Sequence, residues 1–271
     1  MPELPEVETT RRGLLPRVAG RRIRSMVVRN GSLRWPVPAD IATRLRGETI
    51  RDIRRRAKYL LFDLRKGHLL VHLGMSGRLT LLPAGTPARK HDHVDIELDG
   101  GTLLRFTDPR RFGAVLWLES PAEGHALLRD LGMEPLDAAF TGRALRARAK
   151  GRSVSIKQFI MNGRIVTGVG NIYASEALFH AGIDPGRSAG RVSAARYDRL
   201  AEAVRRTLSR AIEAGGSTLR DFSSAEGQPG YFQHRHAVYQ REGKPCRVCK
   251  TPIRALRHGQ RSTFFCPRCQ K

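Results

Sequence analysis

The first half of the chain consists of short apolar runs separated by turn residues, a pattern typical of β-strands. Tyr59 to Leu64 and His68 to Leu73 lie on either side of Gly67 and predict a hairpin. Further strands are predicted at Val94 to Leu98, Thr102 to Phe106 and Ala114 to Leu118, with a turn at Gly100-Gly101. Repeated short strands of this kind favour a sandwich or a barrel.

A helix is predicted ahead of the strands, over residues 5–19. Pro5 suits the first turn of a helix, and Glu6 and Glu8 suit the positive end of its dipole. This placement gives a structural reason for acids at the start of a basic chain. It gives none for Pro2 and Glu3, which precede the helix.

The second half of the chain follows the helical period instead. Residues 171–180 predict one helix that stops at Gly182, and a longer helix starts at Ser193 and stops at Gly215-Gly216. The polar segment 217–230 that follows is expected to be mobile. The period changes near residues 135–141, where we expect a domain boundary.

The charge balance narrows the class of partner. The chain of 271 residues carries 49 Lys and Arg against 25 Asp and Glu, a net charge of +24. Such a surplus favours a polyanion, most simply nucleic acid. An anionic membrane is a weaker alternative because no basic amphipathic helix stands out, and no apolar run approaches the length of a membrane span. Ribosomal proteins share this charge, so charge alone does not separate an enzyme from an RNA binder.

All four cysteines lie near the end of the chain, in two Cys-x2-Cys pairs. Cys246 and Cys249 are separated by sixteen residues from Cys266 and Cys269. This spacing predicts a four-cysteine zinc site, and four thiolate ligands make the zinc structural because no position stays open for water. The stretch between the pairs is basic and suits phosphate contacts, although a solvated charged loop is the alternative. Clustered cysteines without a secretory leader predict an intracellular location.

Three glycine-containing loops are candidates for binding. Gly168-Val169-Gly170-Asn171 precedes a predicted helix, where exposed amides can hold a phosphate, or where Asn171 simply caps the helix. Residues 73–77 contain Met75, and residues 108–113 contain Arg110 and Phe112. A large apolar side chain beside arginine at a loop tip can wedge between DNA bases, although buried core residues are the alternative.

Taken together, these residues resemble one family. The match runs from Met-Pro-Glu-Leu-Pro-Glu-Val-Glu-Thr at the start, through Gly-Val-Gly-Asn-Ile-Tyr-Ala-Ser-Glu, to the cysteine pairs. It is similar to the bacterial formamidopyrimidine-DNA glycosylases (Fpg, also called MutM) of the Fpg/Nei superfamily. The resemblance implies an α+β fold: an N-terminal β-sandwich flanked by helices, then a helical helix-two-turn-helix domain with a four-cysteine zinc finger. We expect these domains at 2–134, 135–230 and 237–271.

The resemblance also implies a function, base-excision repair by a bifunctional glycosylase and AP lyase. Removal of Met1 would give Pro2 a free secondary amine, which attacks the sugar at C1′ to form an iminium. Glu3 is the expected general acid and base, Lys58 the active-site lysine, and Glu6 a support that holds water or amides. Elimination at both phosphates would follow, on duplexes that contain 8-oxoguanine or formamidopyrimidines.

Further residues take DNA-contacting roles by the same resemblance. Met75, Arg110 and Phe112 would fill the gap left by the everted nucleotide, with Arg110 reading the orphaned cytosine. The segment 217–231 matches a loop that covers the flipped base, and it has Arg220 where the family often has lysine. Phosphate contacts are expected from His72, Lys157, Asn171, Tyr239 and Arg261.

Two other interpretations fit part of the sequence. An endonuclease VIII-like enzyme of the same superfamily would favour oxidised pyrimidines, but residues 4–9 and the Arg110-Arg111-Phe112 loop favour the first choice. A non-catalytic zinc-ribbon nucleic-acid binder would explain the charge and the cysteines, and would leave Pro2 and Glu3 without a role. We expect one structural Zn²⁺, damaged double-stranded DNA as the partner, a monomer, no membrane association, and a cytoplasmic, nucleoid-associated location with no signal peptide.

Overall fold

The computed structural model of the protein describes residues 2–217 and 232–271. Their contacts divide them into two compact units. The first comprises residues 2–129 together with 214–217, and the second comprises 130–213 together with 232–271. The predicted domain bounds at 134/135 and at 237 stay predictions, and the predicted lesion loop lies largely outside the described residues.

The first unit contains two antiparallel four-stranded sheets and two helices. The helices are α1 (Leu4–Val18) and α2 (Ile41–Leu45). The strands are β1 (Ile23–Val28), β2 (Asp52–Arg56), β3 (Tyr59–Asp63), β4 (His68–His72), β5 (Arg78–Pro83), β6 (Asp92–Leu98), β7 (Thr102–Thr107) and β8 (Ala114–Leu118). One sheet has the order β1-β6-β7-β5, and the other has the order β2-β3-β4-β8.

One hydrophobic core joins α1 to both sheets. Val7 and Leu14 of α1 belong to the same buried cluster as Phe62 of one sheet and Phe106 of the other. Each sheet therefore buries its apolar face against the other, as the alternation of the strands predicts. The predicted β-sandwich flanked by helices is confirmed.

Three strands of the sandwich, β1, β2 and β5, escaped prediction. Strand β2 reads Asp-Ile-Arg-Arg-Arg, a sequence with little β-propensity. Its charges are compensated by residues distant in the chain: Arg54 pairs with Asp63 and Glu123, and Arg55 pairs with Glu8. Sequence patterning misses such a strand because Ile53 is its single apolar residue and every other position is charged.

The second unit is helical, with one hairpin near the end of the chain. Its helices are α3 (Gly142–Ala149), α4 (Ile156–Ile160), α5 (Asn171–Ala181) and α6 (Ala194–Glu213), and its hairpin is β9 (Arg254–His258) with β10 (Arg261–Phe265). Helix α6 packs against α3 and α5, and α5 also contacts β10. Gly182 ends α5 in the left-handed conformation (φ 68°), as predicted, because a residue without Cβ adopts it at little cost.

In the part of the chain that is described, each helix is too short or too polar to cross a bilayer.

Candidate active site and nucleic-acid interface

The start of α1 holds two of the predicted catalytic residues in a buried setting. Pro2 is buried, and Glu3, the N-cap residue of α1, is only 2% exposed. The Glu6 carboxylate accepts a hydrogen bond from the Glu3 amide at 2.8 Å and another from the Ser217 amide at 2.8 Å. Glu6 therefore connects the backbone of Glu3 to that of Ser217.

Close contact with Gly216 leaves Glu6 little freedom. A Cβ on Gly216 would lie 3.1 Å from Glu6 Cγ, and Gly216 has φ +81°. Glycine is therefore favoured at this position both by conformation and by space. Gly216, predicted as part of the stop of the long helix, thus also packs against the Glu6 side chain.

Lys58 lies in the turn between β2 and β3, the hairpin against which α1 packs. It follows Ala57, which has a positive φ of 55°, and the Arg55 guanidinium donates to the Ala57 carbonyl at 2.9 Å. The charge of Lys58 contributes to the lowered pKa of His72, as does the charge of Arg34. Lys58 and His72 are therefore electrostatic neighbours in the first unit.

His72, at the end of β4, is neutral at physiological pH. Desolvation lowers its pKa to about 4, with smaller effects from the charges of Lys58 and Arg34. Its Nδ1 accepts a hydrogen bond from the Gly74 amide at 3.2 Å. The proton of the neutral ring is therefore on Nε2, which makes that nitrogen a hydrogen-bond donor suited to an anionic oxygen.

The three predicted void-filling residues lie on two adjacent loops of the sandwich, residues 73–77 and 108–113, which we call the insertion loops. Met75 is half-buried, Arg110 is exposed, and Phe112 is one of few large apolar side chains left exposed, at 41%. The Arg110 guanidinium lies over the Phe112 ring, 4.7 Å from its centroid. Phe112 is thus outside the core, which removes the alternative of a tucked-in core residue for this position.

Two of the predicted phosphate contacts of the second unit, Lys157 and Asn171, donate to one carbonyl of the β9–β10 hairpin. Asn171 Nδ2 donates to the Ser262 carbonyl at 3.0 Å, and Lys157 Nζ donates to the same carbonyl at 3.1 Å. Lys157 Nζ also donates to Thr263 Oγ1 at 2.8 Å, and its side chain is buried. Arg261, next to Ser262, is exposed. Asn171 is the first residue of α5 and Gly170 is its cap, so the alternative in which Asn171 caps the helix is wrong.

Glu176 of α5 holds the chain around Tyr239, a contact that sequence reasoning missed. Its buried carboxylate accepts hydrogen bonds from the amides of Ala237 (2.7 Å), Val238 (2.9 Å) and Tyr239 (2.9 Å). Burial raises the pKa of Glu176, and the three amides act against that shift. An acid inside an otherwise apolar helix was the available sign of such a role, because a buried carboxylate needs several donors.

Arg34 is a second residue that sequence reasoning missed. It is exposed, its charge acts on both His72 and Tyr59, and its amide donates to the Gly113 carbonyl at 3.2 Å. No periodic pattern surrounds it, so only the fold brings it beside the second insertion loop. Arg220, predicted to contact DNA, lies outside the described residues.

The four cysteines form one cluster with the geometry of a metal site. Their sulfur atoms all lie within 4.8 Å of one another, with 3.4 Å between Cys249 and Cys266 and 4.0 Å between Cys246 and Cys269. Zinc–thiolate bonds of about 2.3 Å in a tetrahedron place sulfur atoms about 3.8 Å apart. The donor set and its size therefore fit one Zn²⁺.

The surroundings of the cluster suit a structural ion. A hydrogen bond with Thr251 is the largest cause that lowers the pKa of Cys249, to about 6, which favours the metal-binding thiolate form, whereas burial raises the pKa of Cys266 and Cys269. Cys246 and Cys266 are buried in a small core with Val238, Ile253 and Phe179 of α5. When bound, the zinc would link both knuckles to the base of the β9–β10 hairpin and so hold the finger against α5.

Comparison with known proteins places the chain in a family. Three family models match: the formamidopyrimidine-DNA glycosylase N-terminal domain over residues 1–115, the formamidopyrimidine-DNA glycosylase H2TH domain over 131–223, and a zinc finger found in FPG and IleRS over 243–271. The formamidopyrimidine-DNA glycosylase of Methylococcus capsulatus is 56% identical over the full length of both chains.

Solved structures agree with this assignment. The structure of Lactococcus lactis Fpg in complex with Fapy-dG-containing DNA is 30% identical with a TM-score of 0.91, and covers 99% of this chain and 100% of its own. The same protein in complex with DNA that contains an oxidised pyrimidine is 32% identical with a TM-score of 0.91, and covers 100% of both chains. A β-sandwich, a helix-two-turn-helix domain and a four-cysteine finger together define a zinc-finger DNA glycosylase fold. The chain belongs to the formamidopyrimidine-DNA glycosylase family.

Proposed function

We propose that this protein is a base-excision repair enzyme, a bifunctional glycosylase and AP lyase that removes oxidised purines from duplex DNA. The observation that carries the proposal is the buried Pro2–Glu3 pair at the start of α1, where the Glu6 carboxylate accepts one hydrogen bond from the Glu3 amide and another from the Ser217 amide. Glu3 and Glu6 form a capping box at the start of α1, which fixes the Glu3 carboxylate next to Pro2 in the chain.

The proposed reaction starts at the nitrogen of Pro2 after Met1 has been removed. The secondary amine attacks C1′ of the damaged nucleotide, the glycosidic bond breaks, and the base leaves with the bonding electrons. The ring opens as its oxygen takes a proton, and the nitrogen–carbon bond becomes an iminium. The iminium acidifies the C2′ proton, whose loss drives β-elimination of the 3′ phosphate, followed by δ-elimination of the 5′ phosphate.

The neighbours of Pro2 have separate roles in this proposal. Glu3 donates the proton to the ring oxygen and later moves protons at the opened sugar. Glu6 is a positioning residue, since its carboxylate is already occupied by the amides of Glu3 and Ser217. Lys58, in the hairpin that α1 packs against, adds a positive charge that lowers the basicity of the proline nitrogen and attracts the phosphate of the lesion.

The remaining predicted residues would bind the DNA. Arg110, Phe112 and Met75 on the insertion loops would enter the duplex, and the neutral His72 would donate from Nε2 to a phosphate. In the second unit, Arg261, Asn171 and Tyr239 would contact phosphates. Arg220, on the segment expected to cover the flipped base, would also contact the DNA. Lys157 would act mainly by holding the Ser262 carbonyl and thus the hairpin that carries Arg261.

The proposal extends to partner, assembly and location. A net charge of +24 supports binding to DNA. A monomer that works in the cytoplasm on nucleoid DNA fits this charge, because the positive surface serves the polyanion and not a protein interface. The domains of the proposed enzyme correspond to residues 2–134, 135–230 and 237–271.

Borohydride trapping tests the proposed chemistry. We expect a covalent protein–DNA adduct with duplexes that contain an abasic site or 8-oxoguanine opposite cytosine. Pro2→Gly should trap poorly because it replaces the secondary amine, and a protein that retains Met1 should not trap at all. If the wild-type protein binds these duplexes and no adduct forms after reduction, the enzymatic proposal is wrong and the zinc-ribbon binder is favoured.

A second substrate class is supported by one observation. The Lactococcus lactis relative has been solved with DNA that contains an oxidised pyrimidine. We therefore propose weaker excision of oxidised pyrimidines by this chain. Rates on 8-oxoguanine opposite cytosine and on thymine glycol should be compared in the same sequence context. Preference for thymine glycol would favour an endonuclease VIII-like activity.

A further inference from the structure

The topology of the sandwich places the two insertion loops side by side. Residues 73–77 lead from β4 to β5, and residues 108–113 lead from β7 to β8. His72 at the end of β4 pairs with Ala114 at the start of β8, and Arg78 at the start of β5 pairs with Thr107 at the end of β7. Both loops therefore cross between the two sheets at the same edge, as neighbours.

The backbones of the two loops touch. A Cβ on Gly74 would lie 2.4 Å from the Phe112 carbonyl carbon, and a Cβ on Gly113 would lie 2.6 Å from the His72 carbonyl oxygen. Gly74 also has a positive φ of 61°. Close approach at both glycines leaves the loops no room to shift independently.

A buried carboxylate connects the loops by hydrogen bonds. Asp108 is 0% exposed, and its Oδ2 accepts from the Gly113 amide at 2.8 Å, which closes its own loop. Its Oδ1 accepts from the Ser76 hydroxyl of the other loop at 2.7 Å. The same hydroxyl oxygen accepts from the Arg110 amide at 3.2 Å. One hydroxyl and one carboxylate thus bind both loops, next to Met75 and Arg110.

Strand β6 contributes a further hydrogen bond, to the backbone of Asp108. His93 occupies an irregularity in the pairing of β6 with β7, and its Nε2 donates to the Asp108 carbonyl at 2.8 Å. The extra residue at such a bulge aims its side chain away from the regular ladder. The Asp108 backbone is therefore held by the sheet while its side chain holds the loops.

We propose that Asp108 and Ser76 are positioning residues that make the two insertion loops one rigid unit, so that Met75, Arg110 and Phe112 enter DNA together. This inference rests on the proposed function of those three side chains. Preorganisation of this kind makes insertion less costly, because the loops need not be ordered when the duplex opens. Misaligned loops would impair reading of the opposite base and leave the chemistry at Pro2 intact.

The test compares Ser76→Ala with a matched control, Thr107→Val. Thr107 Oγ1 donates to Asp92 Oδ1 at 2.6 Å, so the control also removes one buried hydroxyl–carboxylate bond, but one that does not involve Ser76 or Arg110. The readout is the ratio of excision rates for 8-oxoguanine opposite cytosine and opposite adenine. We expect this ratio to fall about tenfold in Ser76→Ala and to stay unchanged in the control.

Trapping on single-stranded abasic DNA separates this inference from the proposed function, because such DNA has no opposite base to read. Wild type and both variants should trap equally. No trapping by wild type would contradict the proposed function itself. Normal trapping with a wild-type ratio in Ser76→Ala would overturn the positioning role, as would an equal fall of the ratio in Thr107→Val. Asp108→Asn has nearly the same side-chain volume as wild type and should lower the ratio of excision rates in the same way. It replaces Ser76→Ala as the test if that variant does not fold.

Discussion

At the residue scale, one carboxylate explains how the start of the chain is held in place. Each oxygen of Glu6 accepts from one amide, that of Glu3 or that of Ser217. A carboxylate suits this position because both of its oxygens are acceptors only. A carboxamide would direct its own donor at one of the two amides.

Glu6→Gln tests this difference. We expect a loss of about 2 kcal/mol in the free energy of unfolding, since one charged hydrogen bond is replaced by two opposed donors. The rate of excision should fall as well, because Glu3 is then less firmly placed. Urea unfolding and single-turnover excision measure the two effects, and Glu202→Gln on an exposed turn of α6 is the control. Wild-type stability in Glu6→Gln would show that the two bonds contribute little.

Two histidines, His72 and His236, make stability depend on pH. Desolvation lowers both pKa values to about 4, whereas an unfolded histidine titrates near 6.5. Between these values the unfolded chain binds more protons than the folded one, so stability falls as the pH is lowered from about 6.5 to 4. The loss is at most about 3 kcal/mol per histidine.

His72→Asn should reduce this dependence while it keeps an acceptor for the Gly74 amide. Urea unfolding of wild type and variant at pH 7.5 and pH 5 measures the effect. A variant that loses as much stability as wild type on acidification would mean that His72 titrates normally in the folded protein.

At the element scale, prediction succeeded where an element carries its own sequence signals, and it missed the helices α2, α3 and α4 as well as the strands β1, β2 and β5. Pro5 and Glu6 in the first turn of α1, and Gly182 at the end of α5, are local signals for the bounds of these helices. They were sufficient to predict both helices from the sequence. Strand β2 depends on Glu8, Asp63 and Glu123, which the fold alone brings near. The candidate site divides in the same way. The cysteine spacing predicted the cluster that the structure contains, while Glu176 and the Asp108–Ser76 contact depend on tertiary placement.

The zinc finger is an element whose fold should depend on its metal. In Cys249→Ser we expect loss of bound zinc and disorder of the β9–β10 hairpin. DNA affinity should fall about tenfold or more, because the phosphate contacts expected from this hairpin would be lost. Metal analysis and DNA titration measure this, and Val248→Ser at the adjacent exposed position is the control. Zinc-free protein that binds DNA as tightly as wild type would contradict a structural role for the ion.

At the scale of the whole molecule, the charge of +24 should dominate affinity and the individual contacts should set specificity. A phosphate contact and a base-reading contact are therefore expected to respond differently to salt. Arg261 and Arg110, both exposed, represent the two kinds.

Arg261→Ala should weaken binding to all duplexes and reduce the slope of log affinity against log salt by about 1. Arg110→Ala should change mainly the preference for the base opposite the lesion. Arg46→Ala, which removes the same charge from an exposed position after α2, is the control. An equal change of slope in the control would mean that overall charge, and not a contact at Arg261, controls the salt dependence.

The contacts around the finger also bear on which positions tolerate replacement. Lys157 and Asn171 donate hydrogen bonds to the carbonyl of Ser262. Glu176 accepts hydrogen bonds from the amides of residues 237–239. Almost every amino acid has the same peptide carbonyl and amide. These hydrogen bonds therefore require a particular side chain only at Lys157, Asn171 and Glu176. A library randomised at 262 should therefore yield many functional clones, and one at 157 or 176 few. At 237–239 the hydrogen bonds exclude proline, which has no amide hydrogen to donate, and the buried packing of Ala237 and Val238 restricts those two positions further.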